Sequence, residues 1–369
     1  MRKVSIEELQ PGMVLAKTIF NASGNVLLSG GMVLSPNFIQ RLIELNIPAV
    51  FIRDEQIGDL EVPDVISEQM RMQAQKAVKD IFSGVQRYKR VDIAAAKNVV
   101  NSLVDELLGN RQVLINLTDI RAHDDYVFGH CVNVAVLALL TGISMAYNEI
   151  QLQNLGVGAL LHDLGKTQLD KSILDKAGVL TESEFEQFKL HTHYGFETLR
   201  AQPELSILSA HVAFQHHERV DGTGYPRGLK DTEIHEYARI VAVADAYDQL
   251  TTDRLQRRAC HTYEAMRKIV NLTGQYFDSE VTKAFLGNIA VYPIGSIVAL
   301  NSGEIAIVVD NHRNFPTQPV VRVILDVQRN KVTELQEIDL AKKESVKIIQ
   351  LLNEGAEHLP SIQEVGRRI

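Results

Sequence analysis

The residues best suited to chemistry centre on an adjacent imidazole and carboxylate, His162 and Asp163, which end an apolar run just before Gly165. Such a pair is costly to hold near a core unless a cation satisfies it. A divalent metal is one such cation, because neutral imidazole and carboxylate are common metal ligands. Taken alone, the pair fits equally well with a carboxylate that caps a turn beside a half-buried histidine.

More residues of these kinds lie on apolar segments before and after the pair. They are His130, His191, His216, His217 and Asp245. Singly, each is ambiguous, and His130 alone would more often be a core histidine than a ligand. Together they bring five imidazoles and two carboxylates into buried-looking surroundings, which is very destabilising without compensation. Two metal ions sharing Asp163 would satisfy the set, and helical bundles commonly build such sites from several helices.

Helical periodicity dominates the segment that carries these residues, from about 113 to 290. Thr181 and Glu184 have the spacing of a capping box that opens one helix. Gly165 is expected to terminate another. The other predicted helices span residues 126–146, 150–161, 203–217, 236–250, 262–272 and 279–286.

The flanking segments predict a mainly α protein with two small mixed or β-rich parts. Residues 1–62 read as a small α/β domain of regulatory type, with strands at 14–20, 26–28, 32–34 and 48–52 and a helix that opens at Ser35-Pro36. Residues 63–112 read as connecting helices, whose apolar stripe serves either core packing or a homodimer. Residues 291–369 read as a β-rich module and tail, with strands at 296–300, 305–309 and 320–325.

Composition narrows the class of partner. The chain has 369 residues, is 45% hydrophobic and carries a formal net charge of -8 without a long Lys/Arg cluster, which argues against a nucleic-acid polymer. A small phosphate ligand stays compatible. Two cysteines without a disulfide-like pattern, the lack of an N-terminal hydrophobic region and an apolar run (132–147) too short for a membrane span predict a cytoplasmic protein.

Two motifs resemble a known family. The stretch 161–166, Leu-His-Asp-Leu-Gly-Lys, matches the hallmark of the HD superfamily of metal phosphohydrolases. The stretch 216–226, His-His-Glu-Arg-Val-Asp-Gly-Thr-Gly-Tyr-Pro, closely resembles the signature of its HD-GYP subfamily. The resemblance covers about residues 113–290, and Thr192 departs from it where the family usually has proline. Residues 1–62 resemble a small domain often found ahead of HD-GYP domains.

The resemblance implies an HD-type helical bundle that hydrolyses cyclic di-GMP to pGpG, GMP or both. One metal would be held by His130, His162, Asp163 and Asp245, and the second by Asp163, His191, His216 and His217. A third metal in some members uses a glutamate where this chain has Tyr126, so a two-metal site is expected. Phosphate contacts carry over to Lys166 and Arg254, and the loop beside the pocket to Gly222, Gly224 and Tyr225.

The chemistry implied is activation of water by two metals that also neutralise phosphodiester charge, with Asp163 and Lys166 as catalytic residues. Iron or manganese suits a site of several imidazoles and carboxylates better than zinc does. Two other functions stay open. One is a cyclic dinucleotide receptor with little turnover, and the other is a general nucleotide phosphohydrolase, against which the 216–226 signature argues.

Overall fold

The computed structural model describes residues 2–20, 26–45, 47, 49–53, 64–88, 90–110, 114–115, 126–174, 176, 179–252, 260, 262–313, 315–332, 336–343 and 345–352. The chain forms two compact units. One comprises Val65–Arg111 and Asp124–Asn288, and the other comprises Met1–Asp64, Gln112–His123 and Ile289–Ile369. The connecting helices therefore group with the helical segment, and the predicted boundary at 112/113 stays a prediction.

The N-terminal part contains β1 (Arg2–Ser5), a 3-10 turn (Ile6–Glu8), β2 (Val14–Leu15), β3 (Ile19–Phe20), β4 (Val26–Leu28), α1 (Pro36–Glu44) and β5 (Ala49–Arg53). Strands β1, β5 and β2 form an antiparallel sheet with β5 in the centre, and β3 pairs with β4. The predicted start of α1 is confirmed, since the Ser35 hydroxyl accepts from the Phe38 amide.

The strand predictions need correction at three places in this part. The predicted strand 14–20 is wrong as a single strand, because it is divided into β2 and β3, which pair in different sheets. The predicted strand 32–34 is wrong, because only Val33 forms an isolated bridge, with Val14. Strand β1 was not predicted, since its polar sequence lacks the β-branched pattern and its partner β5 lies far along the chain. The predicted turn at 21–25 lies outside the described residues.

The helical unit contains α2 (Glu68–Tyr88), α3 (Ile93–Gly109), α4 (Tyr126–Ser144), α5 (Glu149–Leu160), a 3-10 turn (Leu164–Gln168), α6 (Lys171–Leu174), α7 (Glu182–Arg200), α8 (Ile207–Gln215), a 3-10 turn (Asp231–Glu233), α9 (Glu236–Thr251), α10 (Thr262–Asn271) and α11 (Ser279–Leu286). Helix α4 lies at its centre and contacts α2, α5, α9 and α11. The apolar stripes of α2 and α3 are buried in this unit, at residues such as Val78 and Leu103. This burial agrees with core packing, one of the two roles predicted for the apolar stripe of the connecting helices.

Helix α4 is long and apolar enough to cross a membrane by length and composition. Its window Val127–Ser144 has a mean hydropathy of 1.8 and is 78% buried inside the unit. We therefore read α4 as a core helix of this unit, because helices α2, α5, α9 and α11 already cover it.

The C-terminal part is an antiparallel sheet of β6 (Ile297–Leu300), β7 (Ile305–Asp310), β8 (Val320–Leu325), β9 (Glu337–Asp339) and β10 (Ile348–Leu352) in the order β10-β6-β7-β8-β9. The three predicted strands are confirmed. Strands β9 and β10 were not predicted. Their pairing with β8 and β6 is decided by contacts with distant parts of the chain.

Candidate metal centre

Five helices or their ends bring the predicted metal ligands together. Helix α4 carries His130 and α7 carries His191. Helix α5 ends just before His162 and Asp163, α8 ends just before His216 and His217, and α9 carries Asp245. Helix α8 starts at Ile207 with Ser206 as its cap, four residues later than predicted, yet it still delivers the histidine pair at its C-terminal end. All of these residues except the partly exposed His217 are buried.

Asp163 lies between two groups of imidazoles. Its Oδ2 is 3.3 Å from His162 Nε2 and 3.7 Å from His130 Nε2. Its Oδ1 is 3.8 Å from His191 Nε2 and 3.9 Å from His216 Nε2. Each carboxylate oxygen therefore faces a different pair of ring nitrogens.

Asp245 belongs with His130 and His162, and His217 belongs with His191 and His216. Asp245 Oδ1 is 3.1 Å from His130 Nε2, and its Oδ2 is 4.0 Å from His217 Nδ1. The ligand atoms of His130, His162 and Asp245 lie within 4.8 Å of one another, as do those of His191, His216 and His217. The geometry thus contains two adjoining sets of ligand atoms beside one shared carboxylate.

Local hydrogen bonds determine which ring nitrogen is available. The Nδ1 atoms of His162 and His191 each lie 2.7 Å from a main-chain carbonyl, of Ala159 and Phe188. His216 Nδ1 lies 3.1 Å from the Val212 carbonyl. Because a carbonyl only accepts, Nδ1 carries the proton in each ring and Nε2 presents a lone pair.

Unpartnered atoms show that a cation fits this cluster. Among the residues that the structure describes, five of its buried atoms have no hydrogen-bond partner: His162 Nε2, Asp163 Oδ1, His191 Nε2, His216 Nε2 and His217 Nε2. Buried polar atoms are normally paired. Divalent metals bind such lone pairs, so the donor set matches the group that it would hold.

The pKa values of His191, His216, His217 and Asp163 favour the protonation states that metals require. Burial lowers the pKa of His191 to about 4, that of His217 to about 3, and that of His216 well below its usual value. Burial alone would raise the pKa of Asp163, but His162 and Lys166 beside it outweigh the effect of burial and hold the pKa well below the usual range. Neutral imidazoles and an ionised carboxylate are metal-binding forms.

Lys166 lies on the 3-10 turn that follows the histidine-aspartate pair. Its Nζ is 2.5 Å from Asp163 Oδ2 and 5.5 Å from the Phe188 ring centre, and its side chain is partly exposed. The prediction that Gly165 terminates a helix is wrong, since α5 already ends at Leu160 and Gly165 lies inside the turn. A Cβ on Gly165 would lie 1.9 Å from the His191 carbonyl oxygen, so the glycine permits close approach of the turn to α7.

The predicted substrate loop lies beside the cluster. The Tyr225 ring centre is 4.8 Å from that of His217, and the Tyr225 amide donates to the His217 carbonyl. Gly222 has a φ of +84°, and a Cβ on Gly224 would lie 2.4 Å from the Arg219 amide nitrogen. Both positions therefore need glycine. Arg254 lies outside the described residues, as does the side chain of Tyr126.

Buried residues that sequence reasoning missed surround His130. Asp248 Oδ2 accepts from His130 Nδ1 at 2.7 Å, and Asp248 Oδ1 accepts from Asn133 at 2.6 Å. Arg71 of α2 donates to Asn133. Asn133 follows His130, and Asp248 follows Asp245, by three residues on the same helix. That spacing places each on the face of a predicted ligand and was the available signal.

Comparison with known proteins agrees with the motifs. Residues 103–281 match a family model described as HD domain. A cyclic di-GMP phosphodiesterase of Pseudomonas aeruginosa is 32% identical over 269 residues, which are 73% of this chain and 65% of that protein. The chain belongs to the HD-GYP branch of the HD domain family. Residues 297–357 match a second family model, a KOW domain associated with HD domains, which covers the C-terminal sheet.

Other relatives match a smaller share of the chain. A cyclic di-GMP phosphodiesterase of Thermotoga maritima is 43% identical over 143 residues, 38% of this chain and 39% of that protein. A 3'3'-cGAMP-specific phosphodiesterase of Vibrio cholerae is 38% identical over 138 residues, 37% of this chain and 30% of that protein. A solved HDG"Y"P protein of Bdellovibrio bacteriovorus is 16% identical with a TM-score of 0.47, over 77% of this chain and 97% of that one. The aligned part of this chain covers less than two thirds of the length of the Pseudomonas, Thermotoga and Vibrio phosphodiesterases.

Proposed function

We propose that this HD-GYP protein is a cyclic dinucleotide phosphodiesterase that hydrolyses cyclic di-GMP to pGpG, GMP or both. The observation that carries the proposal is Asp163, whose two oxygens face two separate pairs of imidazoles. In three of these four rings, His162, His191 and His216, the Nε2 atom has no hydrogen-bond partner. A phosphodiester is a substrate that such a centre suits, because it must gain negative charge on the way to hydrolysis. The names of the sequence relatives support the cyclic dinucleotide as its class.

The proposal assigns two metal ions to the cluster. His130, His162, Asp163 and Asp245 would hold one, and Asp163, His191, His216 and His217 the other. When bound, the ions would supply Lewis-acid stabilisation of phosphate charge and a water activated for attack. The mixture of imidazoles and carboxylates favours iron or manganese over zinc.

The chain's own residues would bind and orient the phosphodiester beside these ions. Lys166 would donate to a non-bridging phosphate oxygen, and its partial exposure and its position next to Asp163 support this role. Arg254 is assigned a second phosphate contact by its motif alone. Gly224 would keep the loop against the backbone that follows His217, Gly222 would allow its turn at positive φ, and Tyr225 would line the site beside His217.

A product assay tests the proposal. The full chain, loaded anaerobically with Fe(II) or with Mn(II), is incubated with cyclic di-GMP, and pGpG and GMP are separated by chromatography. We expect one or both products from the unsubstituted chain and none from Asp163→Ala, which should also lose metal. Tight binding without product in both metals would contradict the enzyme and support the receptor. A parallel incubation with 3'3'-cGAMP decides between the two substrates named among the relatives.

Domain limits, location and assembly belong to the same proposal. We infer a regulatory domain at 1–62, connecting helices at 63–112, the phosphohydrolase domain at 113–290 and the β-rich module and tail at 291–369. We place the protein in the cytoplasm. The apolar stripe of the connecting helices is buried in the helical unit, so a homodimer would use another part of their surface. Light scattering on the purified full chain tests the dimer, and a monomer at micromolar concentration would contradict it.

A further inference from the structure

His130 is held differently from the other buried histidines of the metal centre. His162, His191 and His216 each bond a main-chain carbonyl three or four residues earlier in the chain. Such bonds form wherever the local helical turn forms. His130 Nδ1 instead bonds the Asp248 side chain, 118 residues away. The orientation of this ring therefore depends on tertiary packing between α4 and α9.

A chain of buried hydrogen bonds runs from Asp248 to α2. Asn133 Nδ2 donates to Asp248 Oδ1 at 2.6 Å, and Arg71 Nη1 donates to Asn133 Oδ1 at 2.8 Å. Arg71 is 7% exposed, Asn133 is 2% exposed and Asp248 is 1% exposed. Polar side chains of this kind are seldom so fully buried unless each is paired.

The donor and the acceptor of each hydrogen bond in this series follow from the chemical groups involved. A guanidinium only donates, so the Asn133 oxygen faces Arg71 and its NH2 group faces Asp248. A carboxylate only accepts, so His130 carries its proton on Nδ1. His130 Nε2 then faces Asp245 Oδ1 at 3.1 Å and Asp163 Oδ2 at 3.7 Å, and it becomes the atom that would bind a metal once it loses its own proton. Arg71 thus orients the Asn133 amide, and Asn133 and His130 together hold the Asp248 carboxylate.

We propose that Arg71, Asn133 and Asp248 form a positioning relay through which α2 sets the orientation and tautomer of His130 at the metal centre. The inference rests on the proposed metal-dependent function and adds α2, outside the predicted phosphohydrolase segment, to the parts that build the site. Carboxylates that bond a metal-ligating histidine from behind commonly raise metal affinity 10–100-fold. Arg71 and Asn133 orient that carboxylate in turn.

Metal affinity of the full chain tests the relay. The dissociation constant for Mn²⁺ is measured by competition with a chelator for the unsubstituted chain and for Asp248→Asn, Asn133→Ala and Arg71→Gln. We expect Asp248→Asn to weaken binding about 10–100-fold and the other two to weaken it by about tenfold. Arg87→Gln, on the exposed face of the same helix, is the matched control and should leave the constant unchanged.

A double variant separates a relay from three independent contributions. In a relay, Arg71→Gln adds nothing once Asp248 is gone, so Arg71→Gln/Asp248→Asn should bind Mn²⁺ as Asp248→Asn does. A double variant whose loss is the product of the single losses would overturn the relay, as would Asp248→Asn with an unchanged constant. Unfolding midpoints of the metal-free variants report a purely structural role, which lowers the midpoint without weakening metal binding.

A second variant at Arg71 and the behaviour of the unsubstituted chain separate failure of the relay from failure of folding or of the proposed function. If Arg71→Gln does not fold, Arg71→Lys keeps the charge but loses the planar fork, and it should weaken Mn²⁺ binding less than Asp248→Asn does. If the unsubstituted chain binds neither Mn²⁺ nor Fe²⁺, both the relay and the proposed function fail. If it binds Mn²⁺ but releases no product from cyclic di-GMP, only the phosphodiesterase fails, and the dissociation constants still decide the relay.

Discussion

At the scale of single residues, Lys166 and Asp163 have separable roles although their side chains touch. Asp163 is fully buried among imidazoles, whereas Lys166 reaches solvent. A buried carboxylate among unprotonated ring nitrogens suits metal binding, and a partly exposed ammonium suits a phosphate oxygen. The two substitutions should therefore have different effects.

Replacement of Lys166 by Met is expected to lower kcat for cyclic di-GMP by about 10²–10³-fold, because one donor to the developing charge is lost. Metal content should stay unchanged, since the histidine nitrogens and Asp163 are retained. Steady-state kinetics together with metal analysis checks this. Lys171→Met, at an exposed lysine on the neighbouring helix α6, serves as the control. A variant that keeps full kcat would exclude Lys166 from catalysis.

The stability of the metal-free chain should decrease both when the pH falls below about 6.5 and when it rises above about 6.5. Folding lowers the pKa of His191 to about 4 and that of His217 to about 3, so the unfolded state binds more protons between those values and about 6.5. Stability should therefore fall as pH drops below about 6.5. For His130, burial opposes the charged form, but hydrogen bonds to Asp245 and Asp248 outweigh it and raise the pKa to about 9. That contribution is present below about 6.5 and is lost as pH rises toward 9.

Urea unfolding of chelator-treated protein across this range is the measurement. We expect the free energy of unfolding to be greatest near pH 6.5 and to change by about 1.4 kcal/mol per pH unit for each proton taken up or released. A free energy that keeps rising between about pH 6.5 and pH 9 would contradict the raised pKa of His130.

At the scale of elements, the metal centre depends on how closely the turn after α5 approaches α7. The Gly165 position meets the His191 carbonyl and the Gly195 amide, so even a methyl group has no space there. The neighbours are backbone atoms and cannot rotate away. His191, a proposed ligand, belongs to the same contact. A change that separates the turn after α5 from α7 should therefore also displace His191 from the metal centre.

Gly165→Ala is expected to lower the free energy of unfolding by about 3 kcal/mol or more and to weaken metal binding, because the turn and α7 must separate. Urea unfolding and metal analysis check both effects. Gly109→Ala is the control, since a Cβ there meets nothing within 4 Å at the end of α3. It should change stability by no more than about 1 kcal/mol. Equal stability of the two variants would contradict the packing argument.

At the scale of the whole molecule, bound metal should join parts of the helical unit that are distant in the chain. The proposed ligands come from α4, the end of α5, α7, the end of α8 and α9, so the metal-bound form is confined to the folded state. Ligands that bind only the folded state stabilise it by RT ln(1 + [L]/Kd), which is about 2.7 kcal/mol at 100 times Kd.

Chelation is therefore expected to lower the unfolding midpoint of the full chain, and added Mn²⁺ is expected to restore it. Differential scanning calorimetry measures the shift, and the helical unit and the sheet-rich unit are followed as separate transitions where they resolve. Asp163→Ala should show no response to chelator or metal. A midpoint that is indifferent to chelation in the unsubstituted chain would argue against a structural contribution from metal.

The sequence by itself determined the types and order of the site residues and most of the helices that carry them. The capping box at Thr181 and the apolar periodicity are local signals, so the start of α7 and the bounds of α11 agree with prediction. The 216–226 signature was sufficient to predict the family. The errors fall where local signals compete, as at Gly165, whose role comes from a contact with α7, and at 32–34, where one bridge replaces a strand.

Only the tertiary structure decided which atoms face one another. Strand β1 pairs with β5 from 44 to 50 positions further along the chain, and Arg71 reaches Asn133 across 62 positions. Contacts across such separations depend on the packing of whole elements and leave no periodic trace in the sequence. For the same reason, the sequence could predict that Asp163 is shared, but only the packed helices show each of its oxygens facing its own pair of imidazoles.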